Sequence, residues 1–191
     1  MKKILILLIS VLFFHCSDNK KNSIRYVEHR IDFLNWNLNI PENYIAVSFE
    51  DYQAIVRESL SDSVLISDKI EKFENLKKTL SEPYALFCDK SNIENIFLIN
   101  YMLNPRPDKF LKEELAVEFH SDFKNKGKTE GYTYKPIENR LINNWLIKIK
   151  GEKTYNDWDR SIYNTLYFSS NFGAIVINTD KEVDFERELT Q

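Results

Sequence analysis

The chain has 191 residues, of which 43% are hydrophobic and 29% are charged, as is typical of a globular protein with one core. Its formal net charge is −3, from 26 basic and 29 acidic residues, so it lacks the basic surplus that a nucleic-acid backbone attracts. The composition therefore argues against nucleic-acid binding, and we expect no nucleic acid among the partners.

The amino terminus has the composition of an export signal. Lys2 and Lys3 precede the apolar run Ile4–Phe14, which is shorter than the roughly 20 residues of a membrane-spanning helix. Cys16 follows this run, and the next residues ("SDNKKNS") are polar. This order favours an export signal that ends near the cysteine. A cleaved secreted protein and an uncleaved anchor are the alternatives.

The stretch "LFFHCSDNKK" resembles the signal of bacterial lipoproteins, in particular those of Bacteroidota-type bacteria. That family has a leucine three positions before the cysteine and small residues next to it, where this chain has Phe13, Phe14 and His15. The resemblance implies that Cys16 carries lipid, such as palmitate, and that this lipid holds the protein on the membrane. It also implies a place in the cell envelope, at the outer rather than the inner membrane, facing the periplasm or the cell surface.

Three segments follow from this interpretation. We predict a signal peptide over residues 1–15, a lipidated cysteine with a flexible tether over residues 16–30, and a single domain over residues 31–191. A tether of this length reaches at most about 50 Å from the bilayer. With Cys16 lipidated, Cys88 is the only other thiol, so no internal disulfide forms, and we expect Cys88 to be a small buried apolar residue.

The first elements of the domain are a strand and two helices. Apolar residues alternate with asparagines over Trp36–Ile40, which predicts a strand with one buried face that ends at Pro41. The segment "SFEDYQAIVRESL" predicts a helix with a capping box from Ser48. The segment "SDKIEKFENLKKTL" predicts a second helix, which Ser67 or Asp68 caps.

A hairpin and a long helix come next. The apolar runs Tyr84–Asp89 and Asn95–Leu103 predict two strands joined by a short turn. The segment "KFLKEELAVEFHSDFKNKG" predicts a helix that Asp108 caps and Gly127 ends.

The last third of the chain has the pattern of a sheet. Residues 143–150, 161–170 and 174–178 predict strands, and residues 182–189 predict a short helix. The links between these strands have the length of hairpins, which antiparallel neighbours use. We therefore predict an α+β fold, with a mainly antiparallel sheet and two or three helices packed on it.

Two patterns in this order of elements resemble lipoproteins with the PsbP/Mog1-like fold. One is the opening strand W-x-L-x-I-P, here Trp36 to Pro41, and the other is the closing hairpin "IYNTLYFSSNFGAIVIN". The resemblance covers roughly residues 30–190. It implies a binding or assembly accessory rather than an enzyme, and it supplies no catalytic residues.

The sequence has no phosphate-binding loop, dinucleotide fingerprint, zinc-protease motif or nucleophile elbow. We expect no cofactor and no metal. Asp157 and Asp159 stand two apart beside Trp158, and paired carboxylates are able to perform acid–base chemistry. An envelope hydrolase that uses Asp157 and Asp159 is therefore the alternative to a non-catalytic module, and a solvated acidic loop is the simpler interpretation of the pair.

Four aromatic residues in one part of the chain are candidates for a recognition surface. Amphipathic rings suit protein interfaces and sugar stacking, although packing in the core is the simpler interpretation. The residues are Tyr155, Trp158, Tyr163 and Tyr167. We predict a non-catalytic binding or assembly module, held on the membrane and contacting an envelope protein or a glycan.

Overall fold

The computed structural model describes residues 24–80, 82–101, 105–155 and 160–190. The predicted signal peptide over residues 1–15 lies outside these ranges, as do Cys16, Asp157, Trp158 and Asp159. Within the described ranges, no helix combines the length and the apolar character that crossing a bilayer requires.

The described part of the chain forms nine strands and four α-helices, the last a single turn. Every strand pairing is antiparallel, so the predicted α+β fold with a mainly antiparallel sheet is confirmed. In chain order the elements are β1 (Tyr26–Ile31), β2 (Trp36–Pro41), β3 (Tyr44–Ala46), α1 (Phe49–Ser59), α2 (Ser63–Thr79), β4 (Tyr84–Asp89), β5 (Asn92–Asn100), α3 (Lys109–Glu130), β6 (Tyr132–Ile142), β7 (Leu146–Tyr155), β8 (Arg160–Ser169), β9 (Gly173–Thr179) and α4 (Glu186–Leu189).

Seven strands form one sheet in the order β3-β4-β5-β9-β8-β7-β6, and β1 pairs with β2 as a separate hairpin. Three layers result, because each face of the sheet is covered. Helices α1 and α2 pack over β4 and β5, and α3 packs over β6 and β7 on the same face. The β1–β2 hairpin and the segment around α4 cover the opposite face. Successive residues of the central strands point alternately to the helical layer and to the layer on the opposite face, as the period of two requires.

The helix boundaries follow local capping chemistry. The predicted capping box of α1 is confirmed: the Ser48 hydroxyl accepts from the backbone N–H of Asp51, whose carboxylate accepts from Ser48. The Asp108 cap of α3 is also confirmed. The predicted start of α2 is wrong, because the Asp62 carboxylate accepts from the first-turn N–H groups of Val64 and Leu65 and starts the helix earlier.

The predicted end of α3 at Gly127 is also wrong. The helix continues to Glu130 and ends at Gly131, whose φ of 72° is the left-handed conformation that glycine adopts at low cost. Gly127 serves close packing instead, because a Cβ atom there would lie 2.7 Å from the backbone oxygen of Tyr132.

Besides the three-residue strand β3, two strands were not predicted from the sequence. Strand β1 takes in residues 26–30, which the sequence analysis assigned to the tether, so ordered structure begins before residue 31. Strand β6 is an edge strand with mostly exposed side chains and a register shift near Pro136. Neither strand has the apolar alternation that identifies a half-buried strand.

The C-terminal segment is fastened to the sheet by buried charge. Lys148 on β7 is 3% exposed, and its ammonium lies 2.9 Å from a carboxylate oxygen of Asp184 and 3.2 Å from one of Glu186. The second oxygen of Asp184 accepts from the Tyr167 hydroxyl at 2.8 Å, and that hydroxyl accepts from the backbone N–H of Phe185. These bonds hold the segment that follows β9 against the central strands.

Candidate functional site

The candidate site is a groove of about 520 Å³ on the helical face of the sheet, which we call the helix-face groove. Its walls are α2 and the C-terminal end of α3, and its floor is formed by β5, β7, β8 and β9. Its volume lies in the range of small-molecule sites. The residues that line it include Phe73, Glu94, Ile96, Lys153, Ile162, Asn164 and Asn178.

Two asparagines form the polar centre of the groove floor. Asn164 on β8 lies directly opposite Asn178 on β9, and its side-chain amide donates to the Asn178 carbonyl oxygen at 2.6 Å. Asn164 is fully buried, and its Oδ1 has no hydrogen-bond partner among the described residues. An unpaired buried carbonyl costs stability, about 1–3 kcal/mol, so such groups are rare in folded proteins.

Lys153 supplies a cation to the same floor. Its ammonium lies 4.5 Å from the ring centroid of Phe123 and 4.9 Å from that of Tyr132. No carboxylate of the described residues lies within salt-bridge distance of it. Burial lowers the pKa of Lys153 to about 8, although the Glu130 charge opposes this shift. At pH 7 the groove therefore holds a cation without a direct ionic partner in the described part of the chain.

The other charges of the groove are paired. Lys69 lies 2.7 Å from Glu94, which also pairs with Arg160 at 3.4 Å. Lys72 pairs with Asp68 at 3.1 Å and with Glu130 at 3.4 Å. The carboxylates at the rim are thus held by cations, and Lys153 differs from the other two lysines of the groove in lacking such a partner in the described ranges.

Three other concavities are weaker candidates for a functional site. A hollow of about 780 Å³ at the edge of β4 is lined mainly by apolar side chains and backbone, and one of about 190 Å³ lies between Trp36 and Trp145. The third, of about 310 Å³, contains Asp89 and Asp180, but the Asn95 amide donates to both carboxylates at 3.0 and 2.9 Å. That pair is therefore part of a closed hydrogen-bond network.

The three described residues of the predicted recognition surface do not share one exposed face. Tyr167 is fully buried and belongs to the core beneath the C-terminal segment, so its assignment to a surface is wrong. Tyr155 lines the helix-face groove, whereas Tyr163 shares the Tyr167 face of β8, which is the opposite face of the sheet. Strand geometry explains the separation, because successive residues of a strand point to opposite faces of the sheet. Tyr155 is directly opposite Arg160, and Tyr163 lies three residues after Arg160 on β8, so Tyr163 points to the other face. Trp158 lies outside the described residues.

The remaining chemical candidates are placed as follows. Asp157 and Asp159 lie outside the described residues, so their pairing stays a prediction. Cys88 is fully buried, as predicted, and burial raises the pKa of its thiol to about 11. His120 on α3 lies 2.9 Å from the Tyr134 hydroxyl, an atom pair that joins the helix to β6. No group of three histidine, cysteine, aspartate or glutamate side chains in the described ranges is arranged to hold a metal.

Three residues of the groove, Lys153, Asn164 and Asn178, were not predicted from the sequence. A signal for two of them exists: in "IYNTLYF" Asn164 lies between apolar residues at i−2 and i+2, and in "AIVIN" Asn178 has an apolar residue at i−2. Only the pairing of β8 with β9 shows that these two asparagines are opposite each other.

A comparison of the chain with protein-family models, with curated proteins and with solved structures found no match. The interpretation of the groove therefore depends on its geometry and chemistry.

Proposed function

We propose that this chain is a lipid-anchored protein of a bacterial cell envelope, and that its domain is a non-catalytic binding module with the helix-face groove as its ligand site. The anchor part of the proposal comes from the sequence, where Lys2, Lys3 and the apolar run precede Cys16. The lipid is expected to confine the domain to a membrane surface and to raise its effective concentration for neighbours.

The observation that carries the binding part is the unpartnered Oδ1 of Asn164 on the groove floor. A fold gains nothing from an acceptor that is taken out of water and left unpaired. A ligand that donates to this oxygen would recover the lost hydrogen bond. Costly polar groups of this kind are found at functional sites, where binding compensates the loss.

The state of the groove's acidic residues favours binding over catalysis. Asp68, Glu94 and Glu130 each pair with a lysine, so none of them is available as a free acid or base in the described arrangement. The alternative, a hydrolase that uses Asp157 and Asp159, stays a prediction.

We also propose that the domain is related to lipoproteins with the PsbP/Mog1-like fold. The order of the elements supports this relation, because Trp36–Pro41 forms a strand, β2, near the start of the domain, and β8 and β9 form the closing hairpin. The accessory role that such a relation implies agrees with a binding module.

The test is retention of a ligand by the full-length protein. Protein purified in mild detergent is incubated with the small-molecule fraction of an envelope extract, washed and heated, and the released compounds are identified by mass spectrometry. Wild type should release a compound that Asn178→Trp does not retain, because the indole fills the groove. Asn37→Trp is the matched control, since Asn37 is exposed on β2, outside the groove.

Equal release by wild type and by Asn178→Trp, at equal thermal stability, would show that the groove is not the ligand site. Retention of no compound by wild type would contradict the binding function itself.

A further inference from the structure

We infer that the ligand of the helix-face groove carries a secondary amide beside a carboxylate, as an N-acylated amino acid or the last residue of a peptide does. The inference rests on the proposed binding function and specifies its ligand. It combines three features of the groove floor: the asparagine pair, the Lys153 ammonium and the apolar side chains between them.

The asparagine pair has the free hydrogen-bond donor and acceptor that are needed to bind an amide. An asparagine side chain has one carbonyl oxygen and one NH₂ group, and a single N–H···O bond joins Asn164 to Asn178. Whichever way the two amides are turned, one carbonyl and one NH₂ group of the pair remain open to other partners. An incoming secondary amide offers the complement, an N–H for the carbonyl and a C=O for the NH₂ group.

The position of the pair fits this role. Asn178 is half-buried on the floor, and Asn164 lies fully buried beside it. The open hydrogen-bonding groups of the pair therefore lie on the floor of the helix-face groove, and a ligand reaches the buried Oδ1 when the side chains above it move.

Lys153 is a near neighbour of the asparagine pair in the sheet. Gly151 is directly opposite Asn164, and Lys153 follows Gly151 on the same face of β7, so Lys153 and Asn164 are diagonal neighbours. Diagonal neighbours in a sheet lie about 7–8 Å apart, within reach of a long side chain. A Lys153 ammonium that turns from the rings of Phe123 and Tyr132 toward β8 would face a carboxylate whose neighbouring amide is bound by the asparagine pair.

Charge favours an anion at this end of the groove. Lys69 and Lys72 already pair with carboxylates, whereas Lys153 has ring faces as its neighbours and no salt bridge within the described part of the chain. An ammonium without an ionic partner in a low-dielectric site binds a carboxylate with a charge-assisted hydrogen bond.

Apolar side chains complete the site. Phe73 from α2 and the floor residues Ile96 and Ile162 are buried and line the groove beside the polar pair. They suit a ligand side chain that is aromatic or branched, because ring and aliphatic surfaces pack there without breaking hydrogen bonds. N-acetylphenylalanine contains all three parts and is the probe of choice.

The experiment measures affinities of the full-length protein in detergent by calorimetry. The probes are N-acetylphenylalanine, its carboxamide, which lacks the negative charge, and 3-phenylpropionate, which lacks the amide. We expect N-acetylphenylalanine to bind at least about tenfold more tightly than either of the other two, since each lacks one directed interaction.

Two variants separate the interactions. Lys153→Met should remove the preference for N-acetylphenylalanine over its carboxamide and keep the preference over 3-phenylpropionate. Asn178→Leu should do the reverse. Lys135→Met is the matched control, because Lys135 is exposed on β6 and lies outside the groove.

A tripeptide that ends in phenylalanine distinguishes the two sources of this chemistry: tighter binding than N-acetylphenylalanine assigns a peptide end, and equal binding assigns an N-acylated amino acid. Equal affinity for all three small probes, or binding of none, overturns the inference. In either case, a groove-dependent compound released from the envelope extract would leave the proposed binding function intact.

Discussion

Asn164 occupies a position that an apolar side chain would fill with less cost to stability. Its neighbours on the same face of β8 are Ile162 and Leu166, and both belong to the apolar face under the helices. We expect Asn164→Leu to raise the free energy of unfolding by about 1 kcal/mol, because it removes a buried unpaired carbonyl at the expense of one hydrogen bond. The same variant should lose ligand retention.

Chemical denaturation of wild type and Asn164→Leu measures this change, and Asn178→Leu provides the comparison from the other side of the pair. A loss of more than about 1 kcal/mol in Asn164→Leu would mean that the amide supports the fold, which would remove the main argument for a binding site.

For single residues, the sequence predicted whether a side chain is buried better than it predicted what that side chain does. Cys88 was predicted as a buried apolar residue because its neighbours in "YALFCDK" are apolar, and the structure confirms this. Tyr167 was assigned to a surface because its ring and hydroxyl suit interfaces, but the hydroxyl is used internally by Asp184 and Phe185. Those partners are 17 and 18 residues away in the chain, beyond the range of local patterns.

Gly127 in α3 and Gly131 directly after it show how the surroundings of a glycine can outweigh the higher helix propensity of alanine. Alanine at position 127 should gain about 1 kcal/mol from propensity, yet its Cβ would meet the Tyr132 backbone oxygen at 2.7 Å. We expect Gly127→Ala to lose about 1–3 kcal/mol of unfolding free energy, since backbone cannot move aside as a flexible side chain does.

Gly131→Ala is the matched comparison. A Cβ atom at position 131 meets no atom of the described residues within 4 Å, so the positive φ of 72° is what opposes it, at a cost of about 1–2 kcal/mol. Both variants are measured by thermal and chemical unfolding. Stabilisation by Gly127→Ala would refute the close packing of α3 on the start of β6.

The C-terminal segment should make the free energy of unfolding depend on pH in the acidic range. Burial acts to raise the pKa of Asp184, but the Lys148 ammonium and the donors from Glu186 and Tyr167 outweigh it and lower the pKa. The folded state therefore binds fewer protons than the unfolded state below about pH 5. The stabilising contribution is fully present above the unfolded pKa of about 3.9 and is lost as pH falls through the lower folded value.

We expect Asp184→Asn to lose about 1 kcal/mol of unfolding free energy at pH 7, and to converge with wild type as the pH falls below about 4. Asp122→Asn is the control. Both carboxylates are 53% exposed, but Lys126, the partner of Asp122, is 53% exposed, whereas Lys148 is 3% exposed. An exposed pair contributes little, so Asp122→Asn should stay within about 0.5 kcal/mol of wild type at every pH. Parallel pH profiles for wild type and Asp184→Asn would contradict the assignment.

Elements with a regular apolar period were predicted well, and elements defined by pairing alone were not. Strand β4 was predicted with its bounds, and α1 was predicted with its cap. Strand β6 has a polar, mostly exposed sequence and is a strand because it pairs along β7. Strand β1 is held in the same way by β2. Neither β1 nor β6 has the alternation of apolar and polar residues from which a strand is predicted.

At the scale of the whole molecule, the sequence predicted the class of fold but not the order of the strands. Strand β9 lies between β5 and β8, which brings residue 178 beside both residue 96 and residue 164. The floor of the helix-face groove is a product of this order. Because the comparisons supplied no match, only the three-dimensional arrangement identifies the groove.

In the proposed lipid-anchored protein, the segment between Cys16 and the domain would set the distance of the domain from the membrane. Strand β1 begins at Tyr26, ten residue steps after Cys16, so the predicted reach of the tether falls from about 50 Å to at most about 35 Å. A lipid on Cys16 would thus keep the domain close to the bilayer. Two acyl chains are needed for stable attachment, because a single chain binds reversibly.

We expect the wild-type chain, expressed in a bacterial host with radiolabelled palmitate, to take up label and to enter the detergent phase on phase separation. Cys16→Ser should do neither, and Cys88→Ala, which changes the one other cysteine, should behave as wild type. His15→Gly should increase the processed fraction, because the lipoprotein signals that this stretch resembles have a small residue next to the cysteine. Label or detergent partition that persists in Cys16→Ser would disprove the lipid anchor and leave the binding function of the groove to be judged by its own test.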